Sequence, residues 1–457
     1  MFFSPHQPFH DSEPFNLFLP MAKHRARPSR HRQHRQRRAG TPSTPMEQLK
    51  HRQAVAAQAK RQQIKKQKAQ KTKEQANQLK QRMTTMLTAT AQRARRERWA
   101  AIALETQAIV LGNGQYVEER IEIPLVPSTA SLPSDGPAFP SPIHTRITHN
   151  IAAAVMLSNN RTIFYPHYSP ALAQWPEAHP TALFPPTQIE FTRSSTLNVA
   201  RNLVTTRSQD PLKSTDIGVL SFASAKRPGG GYLHGSSEQE DTIARLSSLV
   251  ASLASPAAKD FYKEHRAFRN EDGSGLHDHS MVYSPGVVVF RKDADDEPAP
   301  GRNSRSTPPE RDNVGGAFIS PYIIDVVSAV PVNAAAVHQK HVILPGEPQL
   351  YQEGIRRVMK DRMGRALRVF ETHGDKVLIL GAFGCGSFEN KVEMIASLWA
   401  ELLVCGETVD GVKREARFKQ SFEKVVFAVP GRLFEPFKRA FDLRVDEELL
   451  TAAMAFS

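Results

Sequence analysis

Cysteine is scarce in this chain of 457 residues, which contains only Cys385 and Cys405. Two cysteines exclude a disulfide framework and a zinc site built from several cysteines, and they fit a reducing compartment. Long hydrophobic runs are also missing, because no apolar stretch approaches the roughly 20 residues that span a bilayer. The first twenty residues contain Asp11, Glu13 and four prolines instead of an apolar segment. We therefore do not expect a secretory signal peptide.

Acidic residues are rare near the N-terminus. Residues 21–98 hold 23 lysines and arginines against three acids, whereas residues 99–457 carry a net charge of −4. The formal net charge of +14 therefore comes from an N-terminal arm. Residues 46–98 lack glycine and proline, and their abundant Ala, Gln, Lys and Arg favour helix. We predict a basic, low-complexity arm over residues 1–98 that is either disordered or an exposed helix, with a short coiled coil less favoured.

The charge of this arm predicts salt-dependent binding of nucleic acid or another polyanion, although a solubilising tail remains the alternative. Aromatic residues are almost absent among its basic residues, which argues against base stacking. The Arg- and His-rich residues 23–38 resemble a nuclear-import patch. We therefore expect nuclear or nucleocytoplasmic residence, with a mitochondrial location less favoured and no membrane association.

The folded part is organised around residues 217–253. The apolar residues 217–222 predict a buried strand, and Arg227-Pro228-Gly229-Gly230-Gly231 follows it as a flexible turn. Ser237 and Glu240 then form a capping-box pattern before a helix that we expect to run to Leu253. Free amides at a helix start make a site for anions, and Glu240 and Asp241 would face such a ligand. Acids at a helix start also serve the helix dipole alone, so this pattern by itself is not specific.

A second strand, glycine turn and helix are predicted at residues 377–404, where Val377-Leu378-Ile379-Leu380 precedes Gly381 to Gly386. Alternating strands and helices over the chain from Trp99 onwards predict an α/β layered domain. Because both glycine turns follow strands, we expect the ligand crevice at the carboxyl ends of those strands. Residues 126–142 and 293–313 are predicted to be surface loops, the second of them a disordered insertion.

Together these motifs resemble the microbial-type poly(ADP-ribose) glycohydrolases. The family pattern Pro-Gly-Gly-Gly, seven residues, Gln-Glu-Glu corresponds to Pro228-Gly229-Gly230-Gly231 and Gln239-Glu240-Asp241. Its second block, Gly-Ala-Trp-Gly-Cys-Gly with a following Phe-x-Asn, corresponds to residues 381–390. The resemblance covers residues 99–457. It implies a macrodomain-like three-layer α/β sandwich with a mixed central sheet and a macrodomain core from about residue 190.

The resemblance implies a hydrolase that cleaves ribose–ribose O-glycosidic bonds of ADP-ribose chains on modified proteins, without a metal or other cofactor. In this scheme Asp241 donates the proton to the leaving oxygen, and Glu240 orients the ribose. Phe388 would pack beside the distal ribose, and the second glycine turn would bind the diphosphate. The residues implied to bind substrate are Gly229, Gly230, Gly231, Gln239, Gly384, Cys385, Gly386, Ser387 and Phe388.

Asp241 departs from the family pattern, which has Glu at this position. Its carboxylate falls back by about 1.5 Å, one C–C bond. Displacements of about 1 Å can lower a rate on the order of 10²-fold. The alternative hypothesis is therefore an ADP-ribose-binding macrodomain module with weak or no hydrolysis. A third hypothesis is a chromatin- or RNA-associated protein whose main activity lies in the basic arm. A nucleophilic role of Cys385 is disfavoured because the sequence places no base beside it.

Overall fold

A computed structural model of the chain describes residues 45–122, 143–177, 184–207, 210, 212, 216–271, 275–294, 315–340, 348–409 and 412–455. The basic patch at residues 23–38, the predicted loop at 126–142 and nearly all of the predicted insertion at 293–313 lie outside these residues. The chain divides into two units, Met1–Met83 and Thr84–Ser457. The first described helix, α1, runs from Pro45 to Leu111.

The remaining helices and strands all belong to the second unit. The helices are α2 (Ala152–Arg161), α3 (Pro170–Ala173), α4 (Thr196–Arg207), α5 (Gln239–Leu246), α6 (Leu249–Leu253), α7 (Lys259–Glu271), α8 (Ala334–Lys340), α9 (Pro348–His373), α10 (Val392–Ala400) and α11 (Phe434–Ala455). The strands are β1 (Gln115–Glu122), β2 (Ile143–Asn150), β3 (Ile163–Tyr165), β4 (Gln188–Thr192), β5 (Ile217–Phe222), β6 (Met281–Arg291), β7 (Phe318–Ala329), β8 (Val377–Leu380), β9 (Glu407–Val409), β10 (Val412–Arg414) and β11 (Lys424–Ala428).

Seven strands form the central sheet, in the order β3-β6-β7-β5-β8-β11-β4. Strands β7, β5, β8, β11 and β4 are parallel neighbours, and β6 runs antiparallel to both β7 and β3. Alternate residues of the middle strands enter different cores: Leu220 and Leu378 pack in one cluster, whereas Val219 and Ile379 pack in another. Burial on both faces explains why these strands are continuously apolar. The predicted α/β class with a mixed sheet covered by helices is confirmed.

The end of helix α1 is part of the second unit and packs on the region of the first glycine turn. Ala103 is buried in a cluster with Tyr232, Ala244 and Val250. The Thr106 hydroxyl donates a hydrogen bond of 2.7 Å to the carbonyl of Arg245. The division of the chain at Met83 lies fifteen residues before Arg98, the predicted end of the arm. The apolar turns from Trp99 continue the basic helix without a break.

The helix predicted to run through Leu253 is interrupted at Ser247 and Ser248, which was not expected. Ser247 bridges Val289 of strand β6, and the Ser248 amide donates a hydrogen bond of 2.8 Å to the carbonyl of Val288. The chain therefore leaves α5 to contact the sheet and re-enters a helix as α6. Among the described residues, no helix combines the length and the hydrophobicity that crossing a bilayer requires.

Candidate functional site

The start of helix α5 is tied to the carboxyl end of strand β5 by one side chain. Gln239 accepts a hydrogen bond of 2.9 Å from the Phe222 amide through Oε1. Its Nε2 donates a bond of 2.9 Å to the carbonyl of Leu220. Because one amide side chain satisfies both backbone groups, the first turn of α5 is held against the end of the strand.

Gly230 lies between this strand and helix α5 and has a left-handed φ of 57°. A Cβ atom here would lie 2.5 Å from Oδ1 of Asp241 and 3.1 Å from Oε2 of Glu240. Glycine therefore both adopts this backbone conformation and leaves room for two carboxyl groups beside the main chain.

Asp241 holds the glycine turn to the helix. Its Oδ1 accepts a hydrogen bond of 2.7 Å from the Gly231 amide, and its Oδ2 accepts one of 3.1 Å from the Glu238 amide. The Glu238 side chain in return accepts a hydrogen bond from the Asp241 amide, which completes a capping box. The predicted capping box of Ser237 and Glu240 is therefore wrong by one residue. The physical reason is that Asp241 also accepts a hydrogen bond from the Gly231 amide, which favours the capping box of Glu238 and Asp241 over that of Ser237 and Glu240.

Glu240 is 2% exposed, and its Oε2 accepts a hydrogen bond of 2.7 Å from the Ser224 amide. Its other oxygen, Oε1, is buried and has no hydrogen-bond partner among the described residues. Burial, assisted by the nearby Asp241, raises the pKa of Glu240 well above its ordinary value. The protonated carboxyl group is therefore favoured at this position.

A third carboxylate, Glu238, extends from the start of α5 to the second glycine turn. Its Oε2 lies 3.5 Å from the point where a Cβ of Gly386 would be. Burial and the Asp241 carboxylate raise the pKa of Glu238, whereas a hydrogen bond with Ser387 lowers it. This residue was missed from the sequence because it precedes the family motif.

The second glycine turn is braced by Asn390, whose Nδ2 donates to the carbonyls of Val332 (2.7 Å) and Gly384 (3.0 Å). The Cys385 amide donates a hydrogen bond of 3.1 Å to the carbonyl of Ala382. The Cys385 amide is therefore used inside the second glycine turn. Burial raises the pKa of the Cys385 thiol to about 12, which disfavours the thiolate that a nucleophile requires.

Both glycine turns and all three carboxylates line one cavity of about 770 Å³. This volume lies in the range of small-molecule sites. Of the predicted site residues, the cavity wall includes Gly230, Gly231, Gln239, Glu240, Asp241, Gly384, Gly386, Ser387 and Phe388. Gly229 and Cys385 do not line it. The cavity lies at the carboxyl ends of the strands, where the sequence predicted a crevice.

Several residues that line the cavity were not predicted. They include Lys226, Glu238, Arg269, His277 and Asn333. The segment His277-Asp278-His279 before strand β6 is a signal that could have drawn attention to His277. Across the described ranges, no group of three His, Cys, Asp or Glu side chains is arranged to hold a metal ion.

Residues 143–292 match the family model described as microbial-type PARG, catalytic domain. The structure is similar to a crystal structure of poly(ADP-ribose) glycohydrolase (PARG) from Thermomonospora curvata, with a TM-score of 0.54 and 29% identity, over 76% of this chain and 99% of that one. A structure of that enzyme bound to the inhibitor ADP-HPD is similar with a TM-score of 0.52 and 28% identity, and it has the same coverage of both chains. For a PARG from Deinococcus radiodurans in complex with ADP-ribose, the TM-score is 0.48 and the identity is 28%, over 64% of this chain and 97% of that one. None of the curated proteins matches the chain.

The matched residues contain the first glycine turn and all three carboxylates, and the structural similarity extends over most of the second unit. Sequence motif, fold and family match therefore agree: residues 143–292 match the microbial-type PARG catalytic domain, and the fold is similar to that of solved PARG structures.

Proposed function

We propose that the protein is a poly(ADP-ribose) glycohydrolase that cleaves the ribose–ribose O-glycosidic bonds of ADP-ribose chains in the cavity between the two glycine turns. The observation that carries this proposal is the buried carboxyl group of Glu240, which lies beside Asp241 on the wall that faces the second turn. The inhibitor ADP-HPD bound to the Thermomonospora curvata enzyme supports a ligand of this class.

The reaction requires a proton donor for the leaving ribose oxygen and negative charge near the oxocarbenium-like transition state. The family pattern gives the donor role to Asp241. However, both oxygens of Asp241 already accept backbone N–H groups. Glu240 has a raised pKa and one oxygen without a hydrogen bond among the described residues. We therefore assign proton donation to Glu240. The Asp241 carboxylate would hold the glycine turn and stabilise the developing positive charge, so that two neighbouring carboxyl groups perform different tasks.

The second glycine turn would bind the diphosphate of ADP-ribose. Its Gly384, Gly386 and Ser387 line the cavity opposite the start of helix α5. Main-chain amides in such a turn, together with a hydroxyl group, form a concave site for anion oxygens. Phe388 lies at one side of this turn and would pack beside the distal ribose.

One observation favours the alternative function, an ADP-ribose-binding module with weak or no hydrolysis. Asp241 is held by two backbone hydrogen bonds, and its side chain is one methylene shorter than the Glu of the family pattern. If Asp241 were the required acid, its carboxyl group would have to leave these bonds to reach the substrate.

Calorimetry with ADP-ribose and a chain-release assay on the wild type, Glu240→Gln and Asp241→Glu test the proposal. We expect the wild type to bind ADP-ribose and release it from chains. Glu240→Gln should keep binding and lose about 10²–10⁴-fold in rate, the usual contribution of a general acid. Asp241→Glu should give no gain, whereas a gain on the order of 10²-fold would return the donor role to Asp241. Binding without release by either protein would favour the module, and no binding would reject both functions.

The basic arm would supply a separate, salt-dependent affinity for polyanions such as nucleic acid. Residues 1–44 lie outside the described residues, and 45–83 belong to the first unit. Deleting residues 1–83 should remove this affinity and leave ADP-ribose binding unchanged, because the part of α1 that packs on the body begins later. We also propose nuclear or nucleocytoplasmic residence, which a fluorescent fusion found in mitochondria would contradict.

A further inference from the structure

The cavity has two ends with different chemistry. The sheet order places strands β7 and β11 on opposite sides of β5 and β8, whose following turns carry the candidate catalytic and diphosphate groups. On the β11 side the cavity wall carries the apolar residues Val429, Pro430 and Leu433 together with Ser195 and Thr196, which follow strand β4. Beyond β7 the wall is polar, with Asn333 and His277. The two sides therefore differ in the kind of polar group, with hydroxyl groups of Ser195 and Thr196 on one and the amide and imidazole of Asn333 and His277 on the other.

His277 is held in one orientation on the β7 side of the cavity by contacts of its ring and its backbone. Its ring stacks on Phe388, with centroids 6.1 Å apart and an interplanar angle of 23°. The backbone of His277 has a φ of 57°, which is uncommon for a residue with a side chain. The buried Arg362 supports this conformation by donating hydrogen bonds to the carbonyls of His277 (2.9 Å) and Leu276 (3.0 Å). A buried arginine thus fixes the wall behind Phe388.

Two cations from different elements flank this histidine. Lys226 directly precedes the first glycine turn and Arg269 belongs to helix α7, and both are exposed and line the cavity. Burial lowers the pKa of His277 to about 3, and the charges of Arg362, Arg269 and Lys226 contribute to this effect. Lys226 and Arg269 are therefore close enough to act on the same ring, which stays neutral at physiological pH. This end of the cavity combines the stacked rings of His277 and Phe388 with two exposed positive charges.

We propose that Lys226, Arg269 and His277 form a second subsite, which binds the phosphates of the neighbouring ADP-ribose unit across the bond to be cleaved. This inference rests on the proposed function. The diphosphate of the first unit is expected at the second glycine turn, and its distal ribose beside Phe388. Since His277 packs on Phe388, the two cations lie past the distal ribose, where a chain continues and a single ADP-ribose ends. The subsite would thus make the enzyme prefer chains to single units.

The test compares Lys226→Ala/Arg269→Ala with Lys263→Ala/Arg266→Ala in the full-length protein carrying Glu240→Gln, which is expected to bind chains with little cleavage. The second pair removes two exposed charges from helix α7, and neither residue lines the cavity. Calorimetry with ADP-ribose and with a chain of two units, each at two salt concentrations, measures both affinities. The basic arm also binds polyanions, so each titration is repeated with excess ADP-ribose. Only the binding heat that excess ADP-ribose abolishes is assigned to the cavity.

We expect Lys226→Ala/Arg269→Ala to weaken binding of the two-unit chain at least about tenfold more than binding of ADP-ribose. The slope of log affinity against log salt for the chain should become shallower by about one to two, as expected for two lost phosphate contacts. The control pair should change neither quantity. Equal weakening of both ligands, equal weakening by the control, or no change would overturn the subsite and leave the proposed function standing. Failure of the wild type to bind ADP-ribose would instead remove the proposed function.

Discussion

Replacing Gly230 with alanine is expected to displace both candidate catalytic carboxyl groups. The new Cβ would lie 2.5 Å from Oδ1 of Asp241, whereas ordinary contacts begin at 3.4 Å, so this oxygen must retreat by about 0.9 Å. The Glu240 oxygen, at 3.1 Å, must also give way. Because displacements of about 1 Å can cost on the order of 10²-fold in rate, we expect chain release to fall by about that factor.

The same substitution should lower stability by an amount that the structure allows us to calculate. A left-handed alanine costs about 1–2 kcal/mol. The retreat of Asp241 also stretches its 2.7 Å bond to the Gly231 amide beyond hydrogen-bonding distance, which costs about 1.5–3 kcal/mol for a charged acceptor. For a unit the size of Thr84–Ser457, a loss of about 2.5–5 kcal/mol lowers the melting temperature by about 3–6 °C.

Gly374→Ala is the matched control. Gly374 also has a left-handed φ, of 78°, but a Cβ there would meet nothing within 4 Å. This variant should lose only the backbone contribution, about 1–2 kcal/mol, and keep full chain release. Calorimetric melting and the chain-release assay are measured on both variants. A Gly230→Ala protein that melts as a folded chain and works within about threefold of the wild type would refute the link between this glycine and the carboxyl positions.

Three further predictions concern single side chains. Because burial raises the pKa of Glu240, its contribution to stability is complete below the ordinary carboxyl pKa and is lost as the pH rises through the raised value. In a plot of melting temperature against pH from pH 5 to pH 9, Glu240→Gln should therefore reduce the fall in melting temperature as the pH rises. Parallel plots for the variant and the wild type would contradict this. Cys385→Ala should keep chain release within about threefold, since the pKa of the thiol is raised to about 12, and a loss of 10²-fold would place the thiol in the mechanism. Arg362→Met leaves the carbonyls of Leu276, His277 and Val330 without their donor, and denaturant titration should show a loss of about 3–5 kcal/mol, with Arg266→Met unchanged.

The strands and the glycine turns of the site could be predicted from local sequence. Residues 217–222 and 377–380 are short apolar runs followed by glycine, and both form buried strands at the predicted positions. Their side chains alternate between two cores, so nearly every residue must be apolar, and the pattern is visible without tertiary information.

The first turn of helix α5 could not be predicted in the same way. Ser237–Glu240 and Glu238–Asp241 have the same spacing, so local sequence cannot choose between the two capping boxes. The choice depends on the bond between Asp241 and Gly231, ten residues earlier. The interruption at Ser247 likewise depends on its bridge to Val289 of strand β6.

The position of His277 in the cavity wall could not be predicted, for a similar reason. Its backbone is held by Arg362, 85 residues later in the chain, and its ring stacks on Phe388, which lies still further on. No local pattern signals either contact. The division of the chain at Met83 also stays outside what composition can indicate, because the helical, basic sequence continues unchanged past that point.

The glycine turns present main-chain atoms, instead of side chains, to the middle of the cavity. Recognition of this kind depends on the path of the backbone, so most surrounding positions can drift during evolution without altering the shape that a ligand meets. A chain with 29% identity to a bacterial relative can thus retain the same architecture at its centre. Evolutionary adjustment of selectivity would then be concentrated at the two ends of the cavity, where side chains form the wall.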